Sequence, residues 1–338
     1  MRTNAMRRGC PVIVVWVMAT ISLLQPIGQA DAEDQPFPSK LDRLSEKKED
    51  AGDSSLGHIH DDLHDHSDAV SLPPLGFSLT EGWLDPWPHR HFSRRGTPFA
   101  HTFFTEPAFL DRDLFLDTRI ARGEDENEVE IEAELEWALT RRIGVVLEVP
   151  FLFVDPEEGE TEEGFGDFAF APRLLLVETQ RFLLSANFEV QTPTGSESRG
   201  LGRGETALSP TLSLWYDLGR FMAFNAQFGT EHGLESGDDE FLYNTALTFS
   251  LLDSEMVAGA DHDNHGRHFP AGMINLLAEV NGRTGLSGEE HGRTTAEFLF
   301  GASYLVTSHV AIRAGLQFPL FKPREFDNAY LLGLVYHF

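Results

Sequence analysis

Ala329-Tyr330-Leu331-Leu332-Gly333-Leu334-Val335-Tyr336-His337-Phe338 alternates along its whole length. Counting back in twos from Phe338 gives Tyr336, Leu334, Leu332 and Tyr330. Successive side chains of a β-strand point to opposite faces, so one face of this segment is continuous apolar surface with rings near both ends. A strand that crosses a bilayer in a closed barrel needs about 9–11 residues, an apolar outer face and aromatic residues at both interfaces. The competing reading is the last strand of a soluble sandwich, so the rest of the sequence has to decide.

The amino end supports export. Arg2, Arg7 and Arg8 precede an apolar run from Pro11 to Leu24, and Ala30-Asp31-Ala32 offers a small-x-small cleavage pattern. That is the layout of a secretory signal peptide, expected over 1–32. A membrane anchor is the alternative, but the run is shorter than the ~20 residues a spanning helix needs. Cys10 precedes the apolar run and is the one cysteine, so cleavage would leave no disulfide or cysteine metal site. With export in place, an alternating segment closing on Phe338 resembles the final strand by which bacterial outer-membrane barrels engage their assembly machinery.

The formal charge of −28 argues against nucleic acid as a partner, which requires a basic surface. An acidic exported chain attracts cations instead. Residues 33–75 are rich in Asp, Glu, Lys, Ser and His and nearly empty of aromatics, so they cannot bury enough apolar surface to offset ordering entropy and are expected to be disordered. Residues 76–111 form a Trp-, Pro- and Phe-rich transition zone. It either lies at a membrane interface, where Trp is favoured, or packs into the mouth of a barrel as a plug; the second is preferred.

From about residue 112 the period-two pattern repeats, which argues strand each time. Its segments are 114–120, 129–139, 143–151, 168–176, 182–190, 208–216, 222–228, 241–251, 274–280, 298–304, 310–320 and the quoted stretch. The expectation is an all-β, transmembrane, antiparallel up-and-down barrel of about twelve strands over 112–338. Pro150, Pro172 and Pro210 are awkward for central strands and soften the boundaries there. The connections agree with a barrel, whose inner turns are short and outer loops longer. Thr140-Arg141, 178–180, 217–219 and 306–308 read as inner turns; 154–165, 193–204, 231–239, 283–292 and 321–327 read as outer loops. The stretch 252–269 breaks the rule, being an inner connection that runs long.

The opposite face of the strands is polar. The second segment gives Glu128, Glu130, Glu132, Glu134 and Glu136; others give Glu148, Arg173, Glu189, Glu279, Glu297 and Arg313. Stacked carboxylates cannot face lipid, so they are assigned to a lumen, where they would form a cation-preferring lining. The solvated face of a soluble acidic sheet would read the same way.

Residues 164–230 carry Gly164-Phe165-Gly166-Asp167-Phe168, Pro172-Arg173, Thr192-Pro193-Thr194-Gly195 and Gly200-Leu201-Gly202-Arg203-Gly204. With these motifs the chain resembles the outer-membrane family of transporters assigned to the MetA pathway of phenol degradation. The resemblance covers most of 112–338. It implies a barrel of about twelve strands and uptake of small, often hydrophobic, molecules, and it brings no catalytic residues.

Two histidine clusters remain. His58, His60, His64 and His66 lie among aspartates in the leader, and His262, His265 and His268 occupy the long inner connection. Imidazole with carboxylate suits zinc, nickel or copper(II), so weak capture of a divalent transition metal near the pore mouth is one reading. Solvated acidic segments without a defined site are the other, and the favoured one, since no fixed ligand spacing is present. No other cofactor is implied. Outer-membrane barrels can also hydrolyse lipid, but no Gly-x-Ser-x-Gly occurs and His91, His101, His232 and His291 have no recognisable serine partner. A structural or adhesive barrel would need longer outer loops. The functional expectation is therefore a non-enzymatic pore or transporter in the bacterial outer membrane, contacting lipid and passing a small solute through an acidic lumen.

Overall fold

The computed structural model describes residues 73–123, 126–156, 159–252, 268–288 and 290–338. The expected signal segment, most of the acidic leader and six of the seven histidines in the two clusters lie outside the described residues. Thirteen strands follow in chain order: β1 Arg112–Arg122, β2 Glu126–Ala138, β3 Ile143–Pro156, β4 Glu162–Phe165, β5 Ala169–Glu178, β6 Phe182–Gln191 and β7 Ala207–Gly219. They continue as β8 Met222–Gly233, β9 Asp239–Leu251, β10 Ile274–Gly285, β11 Thr294–Leu305, β12 Val310–Pro319 and β13 Asn328–His337.

All strands but β4 form one closed antiparallel wall of twelve. Each pairs with its neighbour in sequence, β3 passes to β5, and β13 returns to β1 with Leu334 opposite Leu116. Closure matters because a spanning structure must satisfy every backbone polar group internally, and a closed sheet has no open edge. The twelve segments expected from alternation all appear as wall strands.

Parity decides which face each residue takes. On β13, Tyr330, Leu332, Leu334 and Tyr336 are exposed outward, whereas Ala329, Leu331, Val335 and His337 are buried inward. Outward Leu, Ile and Phe recur at Leu114, Leu116, Phe170, Phe228, Phe300, Ile312 and Leu316. A belt of this size is not tolerated in water and is what lipid requires. Rings gather at both ends of it. At the short-turn end Phe338 packs edge-on to Trp137 (5.2 Å) and Tyr336 (4.9 Å). At the long-loop end Phe151 meets Phe153 and Phe165, and Phe241 meets Tyr243.

The prolines lie inside strands, and the ladder accommodates them. Pairing of β5 with β6 skips Ala171 and Pro172, and pairing of β7 with β8 skips Ser209 and Pro210. Pro150 falls at the gap where β3 leaves β5 and takes up β4. In each case the missing N–H faces an interrupted stretch, as strand prolines require. The expected outer loop 154–165 is correspondingly shorter. β3 runs on to Pro156, and β4 folds back on it with Phe165 opposite Phe151.

Candidate functional site

The segment before β1 enters the barrel. Residues 77–84 lie at the short-turn mouth, where Phe77, Leu79 and Leu84 are exposed. Arg142, in the turn between β2 and β3, donates to the carbonyls of Ser78 and Glu81 and stands over the Trp83 ring. Burial lowers the Arg142 pKa, and neighbouring Arg141 adds to the effect. Further along, Phe99 and Phe109 stack at 4.8 Å and pack with Trp215, Leu175 and Leu183, all on inward faces. Residues within 87–111 contact these inward faces.

Polar contacts hold the segment as well. Glu178 accepts from Arg90 (2.6 Å), Arg94 (3.2 Å) and Arg141 (2.7 Å). Asp217 accepts from Thr97 (2.8 Å) and Ser93 (3.0 Å). The Glu279 carboxylate accepts the backbone N–H groups of Phe103, Phe104 and Thr105 at 2.6, 3.1 and 3.1 Å. Arg313 donates to the carbonyl of Thr102 (2.9 Å) and to Asp117 on β1, and its guanidinium lies over Phe103 (4.6 Å). Arg173 pairs with Glu106 and with Glu136. Two glycines make room: a Cβ at Gly301 would stand 2.9 Å from the Phe103 ring, and one at Gly315 3.2 Å from it.

These contacts sort the expected lining residues into two groups. Arg173, Glu279 and Arg313 point inward and bond to the interior segment, and Glu136 is covered by its pair with Arg173. Glu130, Glu132, Glu134, Glu148, Glu189 and Glu297 instead line a cavity of about 440 Å³ beyond the segment. Glu128 stands near its long-loop end, 3.1 Å from Arg119. The cavity also takes in Asp117, Glu231, Glu325, Arg119 and Arg283. Of these, Asp117, Arg119, Arg283 and Glu325 were not foreseen, although the inward parity of Asp117, Arg119 and Arg283 could have found them. Phe103, Phe104 and Glu106 of the interior segment also line the cavity.

At the long-loop end the glycine-rich motifs form a clamp. The Asp167 carboxylate accepts from the backbone N–H groups of Gly195 (2.8 Å) and Arg203 (2.7 Å). Thr194 Oγ1 donates to the carbonyl of Gly166 (3.1 Å) and accepts from the N–H of Phe168 (2.9 Å). A side chain at Gly195 would strike the Leu201 carbonyl, and one at Gly202 would strike Asp167. The Gly-Asp and Thr-Gly elements are thus two halves of one loop-to-strand fastening.

Histidines gather at the opposite end. His91 is buried with its Nδ1 3.2 Å from Asp111. Burial opposes protonation of this ring, but the Asp111 carboxylate, with Asp113 behind it, outweighs burial and raises its pKa. Asp113 lies between His101 (2.7 Å) and His337 (2.8 Å). His268, the described member of the predicted clusters, lies beside His89 and His91. Neither of those two was singled out as a ligand from sequence, because they are far from His268 along the chain.

The family described as "Putative MetA-pathway of phenol degradation" matches residues 127–326. Among solved structures, an outer membrane channel from Pseudomonas putida is similar with TM-score 0.51 and 13% identity, covering 71% of this chain and 100% of that one. The NanC porin matches with TM-score 0.47 and 10% identity over 67% of this chain and 100% of its own. No curated protein matches the chain.

Proposed function

This chain belongs to the family described as a MetA-pathway of phenol degradation, and from that premise we propose that it is a passive outer-membrane channel for small solutes. The acidic ladder on β2, facing the interior of a closed barrel, carries the reading. Glu130, Glu132 and Glu134 share the cavity with Glu148, Glu189 and Glu297, so cations enter more readily than anions. The apolar belt, the two ring clusters and the export signal expected in the sequence support placement in the outer membrane, with the short turns in the periplasm. Insertion there would use the β13 strand as the handle for the assembly machinery. The reading assigns no catalytic residue.

The interior segment sets the size of the path. A solute entering between the outer loops meets Phe103, Phe104 and Glu106 before it can reach the short-turn end. Conductance is therefore small while residues 87–111 stay docked and rises when they leave. Proteoliposome swelling tests the proposal with neutral, cationic and anionic solutes of one size. Faster entry of the cation supports it; impermeability to all three, even after the docking contacts are removed, overturns it.

A further inference from the structure

Three imidazoles meet at the short-turn end of the lumen. His89 and His91 come from the interior segment, and His268 from the connection that precedes β10. The Nε2 atoms of His89 and His91 are 3.2 Å apart. One ring nitrogen from each of the three residues lies within 4.8 Å of the other two. Two imidazoles bound to one tetrahedral zinc at about 2.0–2.1 Å stand about 3.3–3.4 Å apart, so the first pair already has ligand spacing. Closing the third onto the same ion takes a side-chain adjustment of up to about 1.5 Å.

The surroundings match those of a built site. His91 is fully buried, and its Nδ1 faces Oδ2 of Asp111 at 3.2 Å. A carboxylate in that position keeps the hydrogen on Nδ1 and turns the Nε2 lone pair toward the other rings, as in carboxylate–histidine–metal arrangements. Trp87 stacks on His89 at 4.7 Å, and Phe269 packs beside His91 at 4.7 Å. His89 holds a φ of +29°, outside the regions that non-glycine residues favour. Such conformations persist where the surroundings over-determine them, often at ligand sites.

We propose that His89, His91 and His268 form a site for one borderline divalent transition ion (zinc, nickel or copper(II)), with a fourth position for water. Imidazole donors select that class over calcium or magnesium. Bound there, the ion ties the interior segment to the connection between β9 and β10, so it acts as a removable staple on the plug. The site is not the one suggested by the histidine clusters in the sequence. It takes a single residue from them and two from elsewhere. A hydrogen bond between two histidines of opposite tautomer would also give the 3.2 Å spacing, and the experiment separates the two.

The test is zinc titration of the full chain, folded in detergent, by competition with a chromophoric chelator. A second protein carries alanine at His58, His60, His64, His66, His262 and His265, which removes the other clustered imidazoles. Both proteins are expected to bind one equivalent at micromolar affinity or better. His89→Ala combined with His268→Ala weakens that binding tenfold or more while heat-modifiable mobility shows the barrel still closed. Cobalt(II) substitution gives visible bands of a four-coordinate ion that the double variant lacks. Absence of stoichiometric binding in the six-alanine protein overturns the site, as does binding that survives the His89/His268 double variant.

Discussion

The carboxylate of Glu279 on β10 accepts the backbone N–H of Phe103 at 2.6 Å, and the next two N–H groups bond to the same carboxylate. One strand residue thus fastens a turn of the interior segment by three backbone donors. Glu279→Ala removes the acceptor of all three donors and leaves the Thr105 N–H buried without one, at about 1–3 kcal/mol for a buried group. Undocking of the segment is expected, seen as new protease cleavage within residues 87–111 and as several-fold larger single-channel conductance. Unchanged conductance with unchanged proteolysis would contradict the role of this contact.

The Phe103 ring depends on missing side chains. Gly301 and Gly315 face each other across β11 and β12, and a Cβ at either meets that ring. Overfilling a packed interior costs about 1–3 kcal/mol. Gly301→Leu should therefore loosen the segment as Glu279→Ala does, while outward-facing Phe300 and Ala302 keep the wall intact. Heat-modifiable mobility checks the wall, and protease accessibility checks the segment.

Asp167 fastens the long loop after β6 through Gly195 and Arg203. Asp167→Ala removes both acceptors. Hydrogen exchange at residues 195–203 is expected to rise by an order of magnitude or more, since charged hydrogen bonds contribute about 1.5–3 kcal/mol each. Exchange at β11 to β13 should stay as it was.

Replacing Glu130, Glu132 and Glu134 with Gln removes three inward carboxyl groups while keeping side-chain length and polarity. The cation-to-anion permeability ratio is expected to fall several-fold, and more at low salt, where screening is weaker. Replacing exposed Glu235 with Gln in the loop after β8 should leave the ratio nearly unchanged.

The wall was legible in the sequence because a half-buried strand writes its register as a period of two, and lipid sharpens the contrast. Leu332 and His337 take the faces their parity assigns. β4 was not legible: four residues with one aromatic carry too short a pattern, and its pairing depends on Phe151 across the loop. The interior segment gave only its composition. Its path is set by contacts such as Glu279 to Phe103 and Glu178 to Arg90, which lie far apart in sequence and have no period. The same reason hid the meeting of His89 and His91 with His268. Within the acidic face, parity identified inward residues but could not separate Glu132, beside open cavity, from Glu136, covered by its pair with Arg173.

The central claim is an acidic path through the barrel, and reversal potential in a salt gradient across a planar bilayer tests it most directly. With potassium chloride tenfold more concentrated on one side, the channel is expected to reverse at a potential of the sign for cation flow. The Glu130/Glu132/Glu134 glutamine variant should reverse nearer zero. A reversal of anion sign, or no conducting channel from either the original chain or Glu279→Ala, would contradict the account.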